Sequence, residues 1–512
     1  MKFLKLSIFS PMYEKLHLPF RHMVIDQAHY GQDVLGPSHI AFDHVHRSST
    51  ILMTGTPFKN RWHSVYSLIH LLCGHPFTTT RLFERTFGSF KDMQQLPSRM
   101  DRLIKFLMAF TIARPSSVLQ MPAHELIEVP IKLDDEDRNV SDYWFFKWMQ
   151  ATTMKESKPT NKSDDTVGFH LLTRATQCAA HPFLTENQAY ETDKKNATEL
   201  IERLKVLYQD EMEEEAKTKT TSATDNLDNA YAAETSEDAV ADQNAMELDL
   251  MEGVTKDTDP HTTTLNDELD GSEDAKYRAW TKKLFTTGAG QDLFEGLETR
   301  PIEKKKSNKS KSKAPQDRLD WIERLKAEES SKLISPLVTG ILDLMKQLRA
   351  DKPGQKIMIF SRSLMFLDIL AEVMCREREL GVDLEVTRLD GTLDTAQKIT
   401  AVLRFRQSLS EQVVMLTTAS AGSAGLDLKQ ASVVIQTEPW WVANDEKSAW
   451  ARVLLPGQER KVTIYRFSSN TMVDDYVKQC RDEKSAITDE YMKAIRVPDD
   501  AEIAIPEILR YF

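Results

Sequence analysis

From residue 333 to residue 469 the sequence repeats one pattern, a short apolar run followed by a stretch of helical period. The runs are KIMIF, LEVTRL, VVML, SVVIQ and KVTIYRF. The helical stretches are the one carrying Leu337, Ile341, Leu344, Met345 and Leu348, then LMFLDILAEVMCREREL, TAQKITAVLRFRQ and DEKSAWARVL. Short apolar runs separated by helices require a parallel sheet buried on both faces, which sets the fold class as α/β. The ligand edge of such a sheet lies beyond the carboxyl ends of its strands. At those ends stand Ser361-Arg362, Asp390-Gly391-Thr392, TTASAGSAGLDL and TEPWW. Gly422 and Gly425 suit a tight turn with exposed amides, through which a backbone approaches a phosphate closely.

A chain of 512 residues is too long for one core and implies about two or three domains. No apolar run of about 18 residues occurs, so no segment is expected to span a membrane. Cys73, Cys178, Cys375 and Cys480 are scattered without a CxxC pair, which fits reduced thiols in the cytosol or nucleus and excludes a zinc knuckle. The net charge of −12 is local: residues 201–275 hold 22 acidic against 5 basic residues, leaving +5 for the rest. That acidic stretch has few residues able to fill a core, and disorder is expected there. Behind it, EKKKSNKSKSK reads as a solvated linker or, alternatively, as a nuclear import signal or phosphate-contacting patch.

Five segments of the second half, in order, resemble the SWI/SNF-type helicase-like ATPases of helicase superfamily two: IFSRS at 359–363, RLDGT at 388–392, AGSAGLDL at 421–428, EPWWVAN at 438–444 and SAWARVLLPGQ at 448–458. In the first half, VIDQAH stands where that family has its DEAH box, and LMTGTPFKN at 52–60 where it has LTGTPIQN. FTIARPSSVLQMPAHELIEVP and LLTRATQCAAHPFL resemble the segments that bound the family's helical protrusion. The resemblance implies RecA-like parallel-sheet lobes: a partial N-terminal lobe over 1–115, a helical protrusion over 116–190, a disordered acidic then Lys-rich insertion over 191–317, a complete C-terminal lobe over 318–480 and a tail over 481–512.

It also implies ATP and Mg²⁺ as cofactors and double-stranded DNA or chromatin as partner, in the nucleus and away from membranes. The acidic insertion is a candidate for binding histones or other basic proteins. Asp26 would hold the Mg²⁺, Gln27 stands where the family places its general base, and Arg452 matches the first of two arginines that reach the γ-phosphate. Gly422, Gly425, Asp427 and Gln458 would border the nucleotide, and Thr54, Gly55 and Thr56 would couple the lobes. Arg362, Arg388, Lys429 and Trp440 are the candidates for DNA contact. Packing of Trp440 or Trp441 against a neighbouring helix is the alternative for that pair. His181, ahead of Pro182, reads as part of a structural turn, and Cys178 as packed.

Chemistry is where the sequence departs from the family. A neutral amide at Gln27 cannot accept a proton from water at neutral pH. The second arginine position holds Leu455, the leading glutamine position Ser448, and Ser423 replaces a glycine. The cradle GxxxxGK[ST] is not found: 25 residues precede Asp26, and none of the 18 glycines is followed by lysine. The expectation is a DNA-translocase relative with impaired or absent ATP hydrolysis. The alternatives are an active DNA-dependent ATPase whose N-terminus lies outside this sequence, and a non-enzymatic chromatin-binding scaffold.

Overall fold

The computed structural model describes residues 20–55, 62–88, 100–112, 123–156, 165–185, 187–233, 262–263, 273–287, 289–295, 297, 313–351, 353–418 and 427–495. Two parallel sheets organise them. The smaller pairs β1 (Phe20–Asp26) with β2 (Arg47–Met53), Val24 opposite Ile51 and Asp26 opposite Met53. Around it lie α1 (Pro37–Asp43), α2 (Val65–His70), α3 (Thr80–Phe87) and α4 (Met100–Met108).

The larger sheet has seven strands in the order β4-β3-β9-β8-β5-β7-β6, all parallel. Five are the apolar runs of the second half: β5 (Lys356–Ser361), β6 (Leu384–Leu389), β7 (Gln412–Thr418), β8 (Ala431–Gln436) and β9 (Val462–Ser469). β3 (His124–Ile131) comes from before the insertion and pairs with β9 along its whole length, while β4 (Thr262–Thr263) adds a two-residue edge. The expected boundary, with 116–190 wholly a helical protrusion and 318–480 a complete lobe, is therefore corrected. HELIEVPI alternates weakly, which hid a strand that the lobe needs beside β9.

Both faces of this sheet are covered, as continuous apolar strands require. On β5, Ile357 and Ile359 join one core with Ile341 and Met345 of α10 (Pro336–Asp351) and Ile369 of α11 (Leu364–Glu379). Met358 and Phe360, pointing the other way, pack with Phe405 of α12 (Thr395–Gln407) and Trp450 of α13 (Ala443–Trp450). Gly340 lets α10 lie directly on β3, since a Cβ there would stand 2.6 Å from Ile131. A capping box between Asp394 and Gln397 starts α12. The expected helix DEKSAWARVL ends early, at Trp450. The next residues tighten into turns closed by the bonds Arg452 N–H to Ala449 O and Val453 N–H to Trp450 O, ahead of Pro456.

A third core is helical, built from α5 (Asp135–Glu156), α6 (Asp165–Ala180), α7 (Asn187–Ala233), α8 (Glu273–Thr286) and the first turns of α14 (Met472–Ile495). The expectation of disorder across 191–317 is overturned for 191–233 and 273–286. Ala197, Leu200, Ile201 and Leu204 form one helical stripe on α7, and all are buried against α5. Phe285 of α8 stacks on Phe146 with ring centroids 4.8 Å apart. Charge composition alone concealed this stripe, because three helical turns of apolar spacing sit at the edge of the acidic run. α9 (Lys313–Ala327) places Trp321 and Leu325 in the lobe core. Among the described residues no helix is long and apolar enough to cross a membrane.

Candidate nucleotide and nucleic-acid site

β1 delivers Asp26 to the carboxyl end of the smaller sheet. Its Oδ1 accepts the Gln27 N–H at 2.8 Å, leaving the other oxygen open. Gln27 is the one non-glycine among the described residues with positive φ, at φ 53 and ψ 47. A left-handed side-chain-bearing residue is rare outside turns and functional sites, and this one breaks the strand into a short 3-10 turn, Ala28–Gly31. From that turn His29 reaches Thr54 at the end of β2, with Nδ1 3.1 Å from Oγ1. The acidic strand end and the Thr54-Gly55 loop are thus tied by a side-chain bond that sequence reasoning missed. Thr56 lies outside the described residues, as do Gly422, Ser423 and Gly425.

On the larger lobe the polar candidates divide sharply. Arg362 is exposed just past β5, and its guanidinium makes no hydrogen bond or ion pair among the described residues. Lys429 is 40% exposed and loosely paired, 3.8 Å from Asp427. Asp427 accepts the Lys429 N–H at 3.2 Å, and its carbonyl accepts from Arg406.

Three assignments are corrected. Trp440 is 2% exposed, packs edge-on to Phe360 and donates its indole N–H to Glu438, so it belongs to the core and not to a DNA surface. Arg388 is clamped between Asp368, at 2.6 Å, and Asp390, at 3.1 Å, both carboxylates being buried; no donor geometry is left over for phosphate. Gln458 donates to the carbonyls of Lys429 (2.7 Å) and Ala431 (2.8 Å) and accepts from Arg460 N–H, so its amide fastens the loop instead of meeting a nucleotide. Arg452 sits half-buried in the turn after α13, its carbonyl accepting from Leu428 N–H at 3.0 Å, with Leu455 half-buried one turn on. Residues expected to be structural are so. Cys178 is buried, with its thiol pushed well up by desolvation, and His181 caps the short helix Pro182–Leu184 by accepting from Phe183 N–H at 3.0 Å.

Glu438 was not anticipated as an organiser. Its carboxylate accepts from Ser361 Oγ (2.9 Å), Arg362 N–H (2.5 Å), Trp440 Nε1 (3.2 Å) and the Thr437 hydroxyl, lashing the ends of β5 and β8 together. Burial pushes its pKa upward against those bonds. The signal available was its place in EPWW, one methylene longer than the family's aspartate.

A parallel sheet with motif-bearing loops at its carboxyl edge, an acidic strand end on a second sheet and a helical protrusion between them define a helicase-like protein of the RecA-lobe class. The comparisons make this specific. The SNF2-related domain family matches residues 8–184 and the helicase conserved C-terminal domain family matches residues 340–457. The chain belongs to the SWI/SNF-type branch of helicase superfamily two. It is similar to the DNA repair protein rad5 of Neurospora crassa, 24% identical across 95% of this chain and 41% of that protein. It is also similar to the human DNA repair and recombination protein RAD54-like, 28% identical across 31% of this chain and 21% of that protein. The solved C-terminal part of the Fun30 ATPase domain covers 73% of this chain and 97% of its own at 14% identity and a TM-score of 0.39, an overlap too loose to argue from. Across its two full-length fungal matches, this chain spans about two-fifths of the relative's length.

Proposed function

We propose that this chain is a nuclear, DNA-binding member of the SWI/SNF-type family that grips the duplex through its phosphates and hydrolyses ATP poorly or not at all. The observation that carries this reading is Gln27, an amide at the position of the general base. Loss of a positioned base lowers rates by about 10²- to 10⁴-fold. A missing γ-phosphate arginine, the position held by Leu455, lowers them by roughly 10³- to 10⁵-fold.

Asp26 fits one Mg²⁺ contact, since one carboxylate oxygen stands open at a strand end. Mg²⁺ in nucleotide sites is held by one or two carboxylates together with the phosphates, so a lone aspartate suffices for binding. Among the described residues no group of three or more His, Cys, Asp or Glu gathers as a metal site. When bound, the ion would neutralise phosphate charge. Arg452 would face the nucleotide as the remaining cation of its motif, and Gln27 could offer water a hydrogen bond without taking its proton.

DNA contact falls to Arg362 and Lys429, exposed cations that meet backbone and not base edges, which gives strong salt dependence and little sequence preference. The test is DNA-stimulated ATP turnover by the purified 512-residue chain. Turnover at background, with salt-sensitive duplex binding retained, is the expected result. A clear turnover that Asp26→Ala abolishes overturns the reading.

A further inference from the structure

In the seven-stranded sheet the chain leaves β5 toward β6 and β7 on one side and later returns to β8 on the other. The loops that follow β5 and β8 therefore diverge, and the crevice at such a switch point is where open α/β sheets receive ligands. Here the crevice is a cavity of about 390 Å³, roofed by α6 of the helical module. Its volume lies within the roughly 300–1,000 Å³ of small-molecule sites. Leu172, Leu337, Met365 and Trp441 give it an apolar wall, and Phe169, 62% exposed, stands at its lining.

Two carboxylates interrupt that wall. Glu438 keeps part of its surface in the cavity while its carboxylate lies deep among protein atoms, and Asp474, 6% exposed, approaches from the first turn of α14. Both are hydrogen-bonded: Glu438 by the four donors described above, and Asp474 by Ser469 N–H and Ser469 Oγ, each at 2.7 Å. Neither has an ion-pair partner among the described residues. Arg362 gives Glu438 only its backbone N–H and keeps its guanidinium exposed. Charges taken out of water are ordinarily paired, because an uncompensated one costs several kcal/mol. Two uncompensated negative charges in one apolar cavity leave a place for a positive charge carried on an apolar body.

We propose that this cavity binds a small organic cation, an ammonium or guanidinium with an aryl or alkyl body, the body against Leu172, Met365 and Trp441 and the charge facing Glu438 and Asp474. The site stands apart from the nucleotide and does not depend on the chain's ATPase status. The direction of both carboxyl pKa values, raised by desolvation, agrees with it, since a bound cation relieves that penalty.

The experiment is calorimetric titration of the full chain with phenethylammonium and, in parallel, with 3-phenylpropionate, an anion of the same shape. Saturable binding of the cation, with the anion at least about tenfold weaker, is expected, a difference of about 1.4 kcal/mol. Met365→Trp, which fills the cavity without touching either carboxylate, and Asp474→Asn, which removes one charge, are each expected to weaken the cation by about tenfold or more. Thermal melts show whether either variant still folds. A folded Met365→Trp that binds the cation as well as the parent protein, equal binding of cation and anion, or no saturable binding at millimolar ligand overturns the proposal.

Discussion

Arg466 of β9 and Glu446 of α13 meet at 2.8 Å with their side chains 10% and 1% exposed, and the same guanidinium turns to Glu128 of β3 through Nε at 2.7 Å. One buried cation therefore joins the strand that precedes the insertion to the lobe that follows it, across 338 positions of sequence. Glu446 is filled further by Gln436 Nε2 (2.6 Å) and Trp440 N–H (3.0 Å). Removing one member of a buried pair leaves the other charge stranded, which costs about 3–5 kcal/mol. Arg466→Met should lose that much in urea denaturation. The double variant with Glu446→Gln should lose distinctly less than the sum of the two single changes, and strictly additive losses would show that the pair is not coupled.

Arg362 and Arg388 look alike in the sequence, each directly after or within a strand end, and the structure separates them. Arg388 shares Asp368, whose side chain is 0% exposed, with Arg318 at 2.8 Å, whereas the Arg362 guanidinium is open. Arg362→Ala should lower duplex affinity across all sequences and reduce the slope of log K against log salt by about one. Arg388→Ala should leave that slope unchanged and lower the melting temperature. Fluorescence anisotropy at several salt concentrations checks both, and an Arg388 variant that lost salt dependence would return it to the DNA surface.

What the sequence made legible was the sheet and its order of motifs, since apolar runs bounded by polar loops report burial directly. TAQKITAVLRFRQ coincides with α12 from Thr395 to Gln407, and LEVTRL with β6. Side-chain roles were less legible because the same residue type serves two ends. Trp440 and Gln458 sit in motifs that carry function by resemblance, but their polar atoms are used up locally, by Glu438 in one case and by backbone carbonyls in the other. The pairing of β3 with β9, the apolar stripe of α7 and the Glu438 clamp depend on contacts between segments far apart in the chain, which no local window registers.

Gln458 offers a direct check on that distinction. Its Nε2 donates to two carbonyls that flank the start of β8, so truncation leaves both without a donor, at about 1–3 kcal/mol for a buried unsatisfied group. Gln458→Ala should lose stability within that range. Gln458→Glu should lose at least as much, because a carboxylate cannot donate to either carbonyl. Any residual nucleotide binding, followed with a fluorescent ATP analogue, should be unchanged in folded protein. A Gln458→Ala protein as stable as its parent but weaker toward nucleotide would restore the original assignment.

His181 sets an acid limit on the helical module. It is 1% exposed, and desolvation holds its pKa down to about 4 from an ordinary 6.5, with Nδ1 unprotonated so that it can accept from Phe183 N–H. Between those two values the unfolded chain carries a proton on this ring that the folded chain refuses. Stability is therefore full above about pH 6.5 and falls as pH drops toward 4, by roughly 1.4 kcal/mol per unit and about 3 kcal/mol in all. His181→Asn keeps an oxygen able to cap Phe183 and removes the titrating ring. In urea denaturation followed from pH 7 to pH 4, the variant should show a shallower decline than the parent protein by about that amount. Parallel curves would mean that the ring is not kept neutral by burial in the folded state.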